Sequence, residues 1–144
     1  MTHPDIANAL LATTGDAIIA TDREGLITFW NPGATRVFGH AEKDAIGQSL
    51  DLIIPENQRA RHWAGYHEVM KTGKSRYADG ATLAVPALRA DGSRISIEFT
   101  IVPLKDSNGA MAGMVAILRD VTERFAELRE LRKALAAAKA AAPV

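Results

Sequence analysis

Ala17-Ile18-Ile19-Ala20-Thr21-Asp22-Arg23-Glu24-Gly25-Leu26-Ile27-Thr28-Phe29-Trp30-Asn31-Pro32 is the stretch on which the fold turns. Residues 17–21 and 26–30 are rich in β-branched and aromatic side chains. They flank a short connection, Asp22-Arg23-Glu24-Gly25, that ends in glycine, so the stretch predicts a β-hairpin. Asn31-Pro32 then opens a helix. Asparagine is a favoured N-cap, and proline suits the first helical turn because its missing N–H would be unpaired there anyway. Val37 and Phe38 supply that helix with an apolar side, and Gly39 stops it.

Working outward, a short helix is expected over residues 41–46, ending at Gly47. Residues 50–54 and Pro55 lead into a longer helix over about 57–71, closed by Thr72-Gly73. Residues 77–88 form the least regular segment, and Pro86 argues for an edge strand or a bulge. After the turn Ala90-Asp91-Gly92-Ser93, Ile95, Ile97, Phe99 and Ile101 alternate with Ser96, Glu98 and Thr100, which predicts a strand with one buried face. Asp106-Ser107-Asn108-Gly109 is the next turn, and residues 111–118 the last strand. Toward the N-terminus, residues 5–13 read as an amphipathic helix with Ile6, Ala9 and Leu10 on one face. Two strands, several helices and three strands make an α+β chain. The expected architecture is a five-stranded antiparallel sheet with its helices on one face.

From Asp120 the residues are good helix formers to about Ala142. Val121, Phe125, Leu128, Leu131 and Leu135 form a three-four apolar stripe. A projecting helix with such a stripe packs most simply on its own copy in a homodimer, with Phe125, Leu128, Leu131 and Leu135 at the contact; the alternative is folding back onto its own sheet. The expected organisation is an N-terminal cap helix (residues 1–14), a central domain (15–120) and a C-terminal signalling helix (121–144).

The bulk numbers exclude much. The 144 residues suit one domain of roughly 100 to 150 residues. Hydrophobic residues make up 47% of the chain and charged residues 24%, as in an ordinary globule. Lys+Arg and Asp+Glu balance at 17 each, so no basic excess draws the protein to nucleic acid or to an anionic membrane. With no cysteine there are no disulfides, no thiolate nucleophile, no cysteine-rich zinc site and no cysteinyl flavin adduct. The N-terminus lacks the pattern of a signal peptide, and the apolar runs are too short to cross a bilayer, so a cytoplasmic location is expected. Neither a phosphate-binding glycine loop nor a recognisable catalytic triad occurs, and the protein is not expected to be an enzyme.

The hairpin with Asn31-Pro32 and Phe38-Gly39, followed by Arg89-Ala90-Asp91-Gly92-Ser93 and Arg119-Asp120-Val121-Thr122-Glu123-Arg124, resembles the PAS domains, a family of sensory modules. The resemblance covers about residues 9–124 and implies the PAS fold, with Asp120-Val121-Thr122 joining the last strand to a signalling helix. PAS domains bind haem, flavins, small acids or nothing, so the fold alone does not name a ligand.

A local resemblance is sharper. Pro55-Glu56-Asn57-Gln58-Arg59-Ala60-Arg61-His62, ten residues before Thr72, is similar to the haem-binding PAS sensors of the FixL and direct-oxygen-sensor type. It implies that His62 is the axial ligand of a b-type haem. In those sensors a tyrosine stands three residues after the histidine; here Gly65 holds that place and Tyr66 follows. Haem needs a neutral imidazole at the iron, an apolar slot for the macrocycle and cations near the propionates. On their helix His62, Tyr66, Val69 and Met70 share a face. The slot would come from Ile95, Ile97, Phe99 and Ile101 on one strand and Met114, Ala116 and Leu118 on another. By resemblance, Phe99 and Ile101 lie on the gas-binding side and Arg76 pairs with a propionate. Where FixL-type sensors place an oxygen-binding arginine this chain has Thr82 or Leu83, which counts against oxygen among the diatomic gases and leaves carbon monoxide, nitric oxide or a redox change as the signal. Met114 is a possible sixth ligand or plain core filler.

The ordinary reading of a histidine on a helix face is a core-edge residue with a hydrogen-bond partner. His3, His40 and His67 form no spaced metal cluster with it. Two functions therefore stand side by side. One is a haem sensor of a diatomic gas or of redox state, relaying through the C-terminal helix to a signalling protein or a fused output domain. The other is a cofactor-free or flavin-binding PAS module for dimerisation.

Overall fold

Residue by residue, the chain builds α1 (His3–Leu11), β1 (Ala17–Asp22), β2 (Ile27–Trp30), α2 (Pro32–Phe38), α3 (Glu42–Ala45), α4 (Arg59–Thr72), β3 (Val85–Leu88), β4 (Arg94–Lys105), β5 (Met111–Asp120) and α5 (Thr122–Ala141). The structure is a computed structural model and describes residues 1–74 and 84–142. The five strands form one antiparallel sheet in the order β2-β1-β5-β4-β3.

Asn31 ties the hairpin to the helices. Its Oδ1 accepts from the Ile18 and Ala34 amides, both at 2.8 Å, and its Nδ2 donates to the carbonyls of Thr13 at 3.1 Å and Asp16 at 3.0 Å. A buried amide side chain with every contact satisfied rigidifies what it joins. Here it is both the N-cap of α2 and the clamp on β1. Gly39 ends α2 in the left-handed conformation, the usual helix stop at glycine.

One face of the sheet carries Ala17, Ile19 and Thr21 on β1 opposite Leu118, Ala116 and Met114 on β5. Phe99 and Ile101 of β4 pair with Leu118 and Ala116. Helix α2 packs on β1, α3 on β2 and α4 on β5. Trp30, Val37, Phe38, Ile19 and Ile27 make the close-packed end of the core. The other end, beneath α4, is hollow.

Several boundaries differ from the sequence reading. Helix α1 starts at His3 rather than residue 5, because Thr2 and Asp5 form a capping box, and it ends at Leu11. Residues expected to open the long helix fold instead as a 3-10 turn, Glu56–Gln58, and α4 proper begins at Arg59. Leu26 is not in β2 but bridges to Ser49. Strand β5 continues to Asp120, so α5 starts at Thr122. Pro86 lies in β3, an edge strand, as its lost N–H requires. Helix α5 contacts β4 but buries none of its residues, so it does not fold back along the sheet.

Candidate functional site

Between α4 and the sheet lies a cavity of about 630 Å³. That falls within the ~300–1,000 Å³ of small-molecule sites. Helical spacing explains the α4 wall: Gln58, His62, Gly65 and Val69 fall three or four residues apart, with Arg61, Tyr66 and Glu68 beside them. Strands β4 and β5 contribute Ile97, Phe99, Ile101, Met114, Ala116 and Leu118. Leu50, Ile53 and Ile54 close one end, and Val85, Pro86, Ala87 and Lys74 another.

His62 is the polar group on this apolar wall whose chemistry stands out. Its Nδ1 is buried with no hydrogen-bond partner. Burial pushes its pKa down to about 4, against the opposing pull of the Asp51 carboxylate. The ring is therefore neutral at physiological pH, as metal ligation demands. Trp63 packs edge-on against it, with centroids 4.6 Å apart, and Tyr66 lies 6.0 Å away on the next turn.

Both aromatic neighbours are anchored. Trp63 Nε1 donates to Asp51 Oδ1 at 2.7 Å. Its ring covers the hairpin turn so closely that a Cβ on Gly25 would come within 2.2 Å of it. The Tyr66 hydroxyl sits 2.9 Å from Thr21 Oγ1 and donates to the Asp22 carbonyl. Burial raises the Tyr66 pKa, so the phenol stays protonated. Gly65 leaves open space: a Cβ there would meet nothing within 4 Å.

Of the residues singled out from sequence, His62, Tyr66, Ile97, Phe99, Ile101, Met114, Ala116 and Leu118 line this one cavity. Met70 and Ile95 are not among the lining residues; Ile95 is buried in the close-packed core instead. Val69, expected on the same helix face, does line it. Arg76, Thr82 and Leu83 lie outside the described residues. Arg61 and Lys74, two cations on the wall, were not singled out; Arg61 adjoins His62, and Lys74 follows the glycine that ends α4. His40 sits beside Trp30, His67 is exposed, and among the described residues no cluster of metal-binding side chains occurs.

A family model described as the PAS fold matches residues 11–126. The chain belongs to the PAS family. Among relatives, this PAS domain is 31% identical over 130 residues to the sensor protein FixL of Bradyrhizobium diazoefficiens, covering 88% of the chain and 25% of that protein. It is 26% identical over 111 residues to the oxygen sensor protein DosP of Escherichia coli, covering 77% of the chain and 14% of that protein. The chain thus spans a quarter or less of the curated relatives it matches. Among solved structures, a PAS domain from Colwellia psychrerythraea superposes with a TM-score of 0.71 at 27% identity, covering 83% of this chain and 97% of that one. Among the described residues no helix is long and apolar enough to cross a membrane.

Proposed function

We propose that this PAS domain is a haem sensor in which His62 is the axial ligand of a b-type haem, detecting a diatomic gas (carbon monoxide, nitric oxide or oxygen) or a change of redox state. The observation that carries the reading is an imidazole kept neutral by burial, its Nδ1 unpartnered, on the wall of an apolar cavity of about 630 Å³. A haem fits that lining in its chemistry. His62 would hold the iron, Ile97, Phe99, Ile101 and Ala116 would cover the macrocycle, and Arg61 or Lys74 would meet the propionates. When bound, the group would supply an iron centre whose coordination or oxidation state changes with the signal.

The chain's own residues supply the relay. Phe99 on the cavity wall is on the same strand as Ser96, whose carbonyl accepts from the Val121 amide at 2.8 Å. The Ser96 amide donates to Thr122 Oγ1 at 2.9 Å, and Asp120 Oδ1 accepts from the Thr122 amide at 2.9 Å. A shift of the β4 wall is thereby handed to the first turn of α5. Coupling of this kind needs two discrete states of the junction, each favoured by a different state of the pocket. The output would be a signalling protein or a domain fused beyond α5.

The test is the visible spectrum of protein produced with a haem supply. A Soret band that is lost in His62→Ala and shifts when the reduced protein meets carbon monoxide supports the reading. A colourless protein after haem supplementation rejects it in favour of a cofactor-free module, and a yellow one with a flavin spectrum rejects it in favour of flavin.

A further inference from the structure

The cavity meets solvent along one edge of α4. Arg61, Gly65 and Glu68 line it and are exposed, and their helical spacing sets them in one row about 10 Å long. Lys74, also exposed, stands just past the glycine that ends the helix. Gly65 leaves the middle of the row bare, since a Cβ there would meet nothing within 4 Å. The slot is thus open to water one turn from His62.

Burying a carboxylate without a partner is costly, so the acid groups of an amphiphile in this apolar cavity belong at its open edge. For a haem those groups are the two propionates. Among the described residues the mouth sets Arg61 and Lys74 against Glu68, a net of one positive charge to meet two negative ones. The Glu68 carboxylate repels what the two cations attract.

The iron end is weakly braced as well. His62 lines the cavity with Nδ1 buried against protein, which leaves Nε2 to reach the open space. An imidazole that binds metal through Nε2 keeps its hydrogen on Nδ1. Such ligands ordinarily donate that hydrogen to a carboxylate or a carbonyl, which fixes the ring and raises its basicity. Here Nδ1 has no hydrogen-bond partner. The Asp51 carboxylate, whose charge acts on His62, accepts from the Trp63 indole instead. Loss of such a partner costs roughly 10–100-fold in metal affinity.

We infer that haem is an exchangeable ligand of this domain rather than a permanent cofactor, so that its arrival and departure are themselves a signal, with Glu68 on the lip setting the rate of exchange. The inference rests on the haem reading proposed above. Loading fills the slot against Phe99 and acts on the same hydrogen bonds from Ser96 to Val121 and Thr122.

The test is transfer of haem from the loaded full chain to excess apomyoglobin, followed by the Soret band. Transfer should be complete within minutes. Glu68→Gln should slow it about threefold and Arg61→Gln should speed it by about as much, the scale of a single exposed charge pair. With haem dimethyl ester, whose propionates carry no charge, Glu68→Gln should change nothing. Hydrogen exchange over residues 121–124 should differ between the haem-free and loaded protein, and should return to the haem-free pattern after transfer. Haem retained for a day beside apomyoglobin, or equal rates for the parent and Glu68→Gln with haem itself, overturns the inference while leaving His62 as a ligand. A parent protein with no Soret band removes the haem reading and the inference with it. Arg61 and Glu68 are both exposed, and circular dichroism checks that each variant is folded.

Discussion

Trp63, next to His62 on α4, donates its indole N–H to Asp51 at 2.7 Å and lays its ring across Gly25 of the β1–β2 turn. One side chain thus clamps α4 to the hairpin and covers the imidazole's edge. Gly25 tolerates the contact for two reasons: it has no Cβ, and its φ of 82° lies where other residues are strained. Gly25→Ala should cost ~2–4 kcal/mol, measured by urea unfolding, from overpacking plus backbone strain. Adding Trp63→Ala should recover part of that loss relative to Trp63→Ala alone, since only the steric part depends on the ring.

Tyr66 makes the second clamp. Tyr66→Phe removes the hydroxyl that Thr21 and the Asp22 carbonyl share, leaving a buried threonine oxygen without this partner. A loss of ~1–2 kcal/mol in unfolding free energy is expected. Hydrogen exchange should quicken at the end of β1 while β3 is unaffected.

Gly65 separates stability from binding. Leucine there should improve the α4 helix by ~0.5–1 kcal/mol, because glycine is a poor helix former and the new side chain meets open space. The same side chain would stand in the cavity beside His62. Haem titration of Gly65→Leu should show at least a tenfold loss of affinity with an unchanged or raised melting temperature. A variant that binds haem as well as the parent would place the macrocycle elsewhere.

His62 also makes a pH prediction. Its folded pKa, about 4, lies below the ordinary 6.5 because burial disfavours the imidazolium. As pH falls, the unfolded chain takes the proton first. The neutral ring's contribution is therefore complete above about pH 6.5 and is lost between there and about pH 4, ~3 kcal/mol in all. The unfolding free energy of the haem-free protein should show this slope, and His62→Leu should lack it. Haem retention, if His62 is the ligand, should hold down to about pH 5, since no proton competes for the ring above that.

How much of this was legible in advance differs from place to place. The hairpin, the Asn31-Pro32 cap, the alternation of Ile95, Ile97, Phe99 and Ile101 and the stripe on α5 are local patterns, and each produced its element within a few residues. Errors in the bounds fell at element ends, where capping and turn geometry decide. Thr2 with Asp5 moved the start of α1, and a 3-10 turn delayed α4. Met70 was placed on the cavity face by periodicity alone, which resolves a helix face but not which of two adjacent residues meets the wall.

The sequence by itself determined the order and type of the elements, the helix that carries His62 and the apolar strands it would face, because local propensity and periodicity act over a few residues. Tertiary structure alone decided that α4 stands off the sheet to leave a hollow, that Arg61 and Lys74 reach its wall and that Trp63 and Tyr66 hold the helix there. It also decided that His62 Nδ1 is buried without a hydrogen-bond partner. Those properties depend on distances between residues far apart along the chain, which packing sets and no short pattern records.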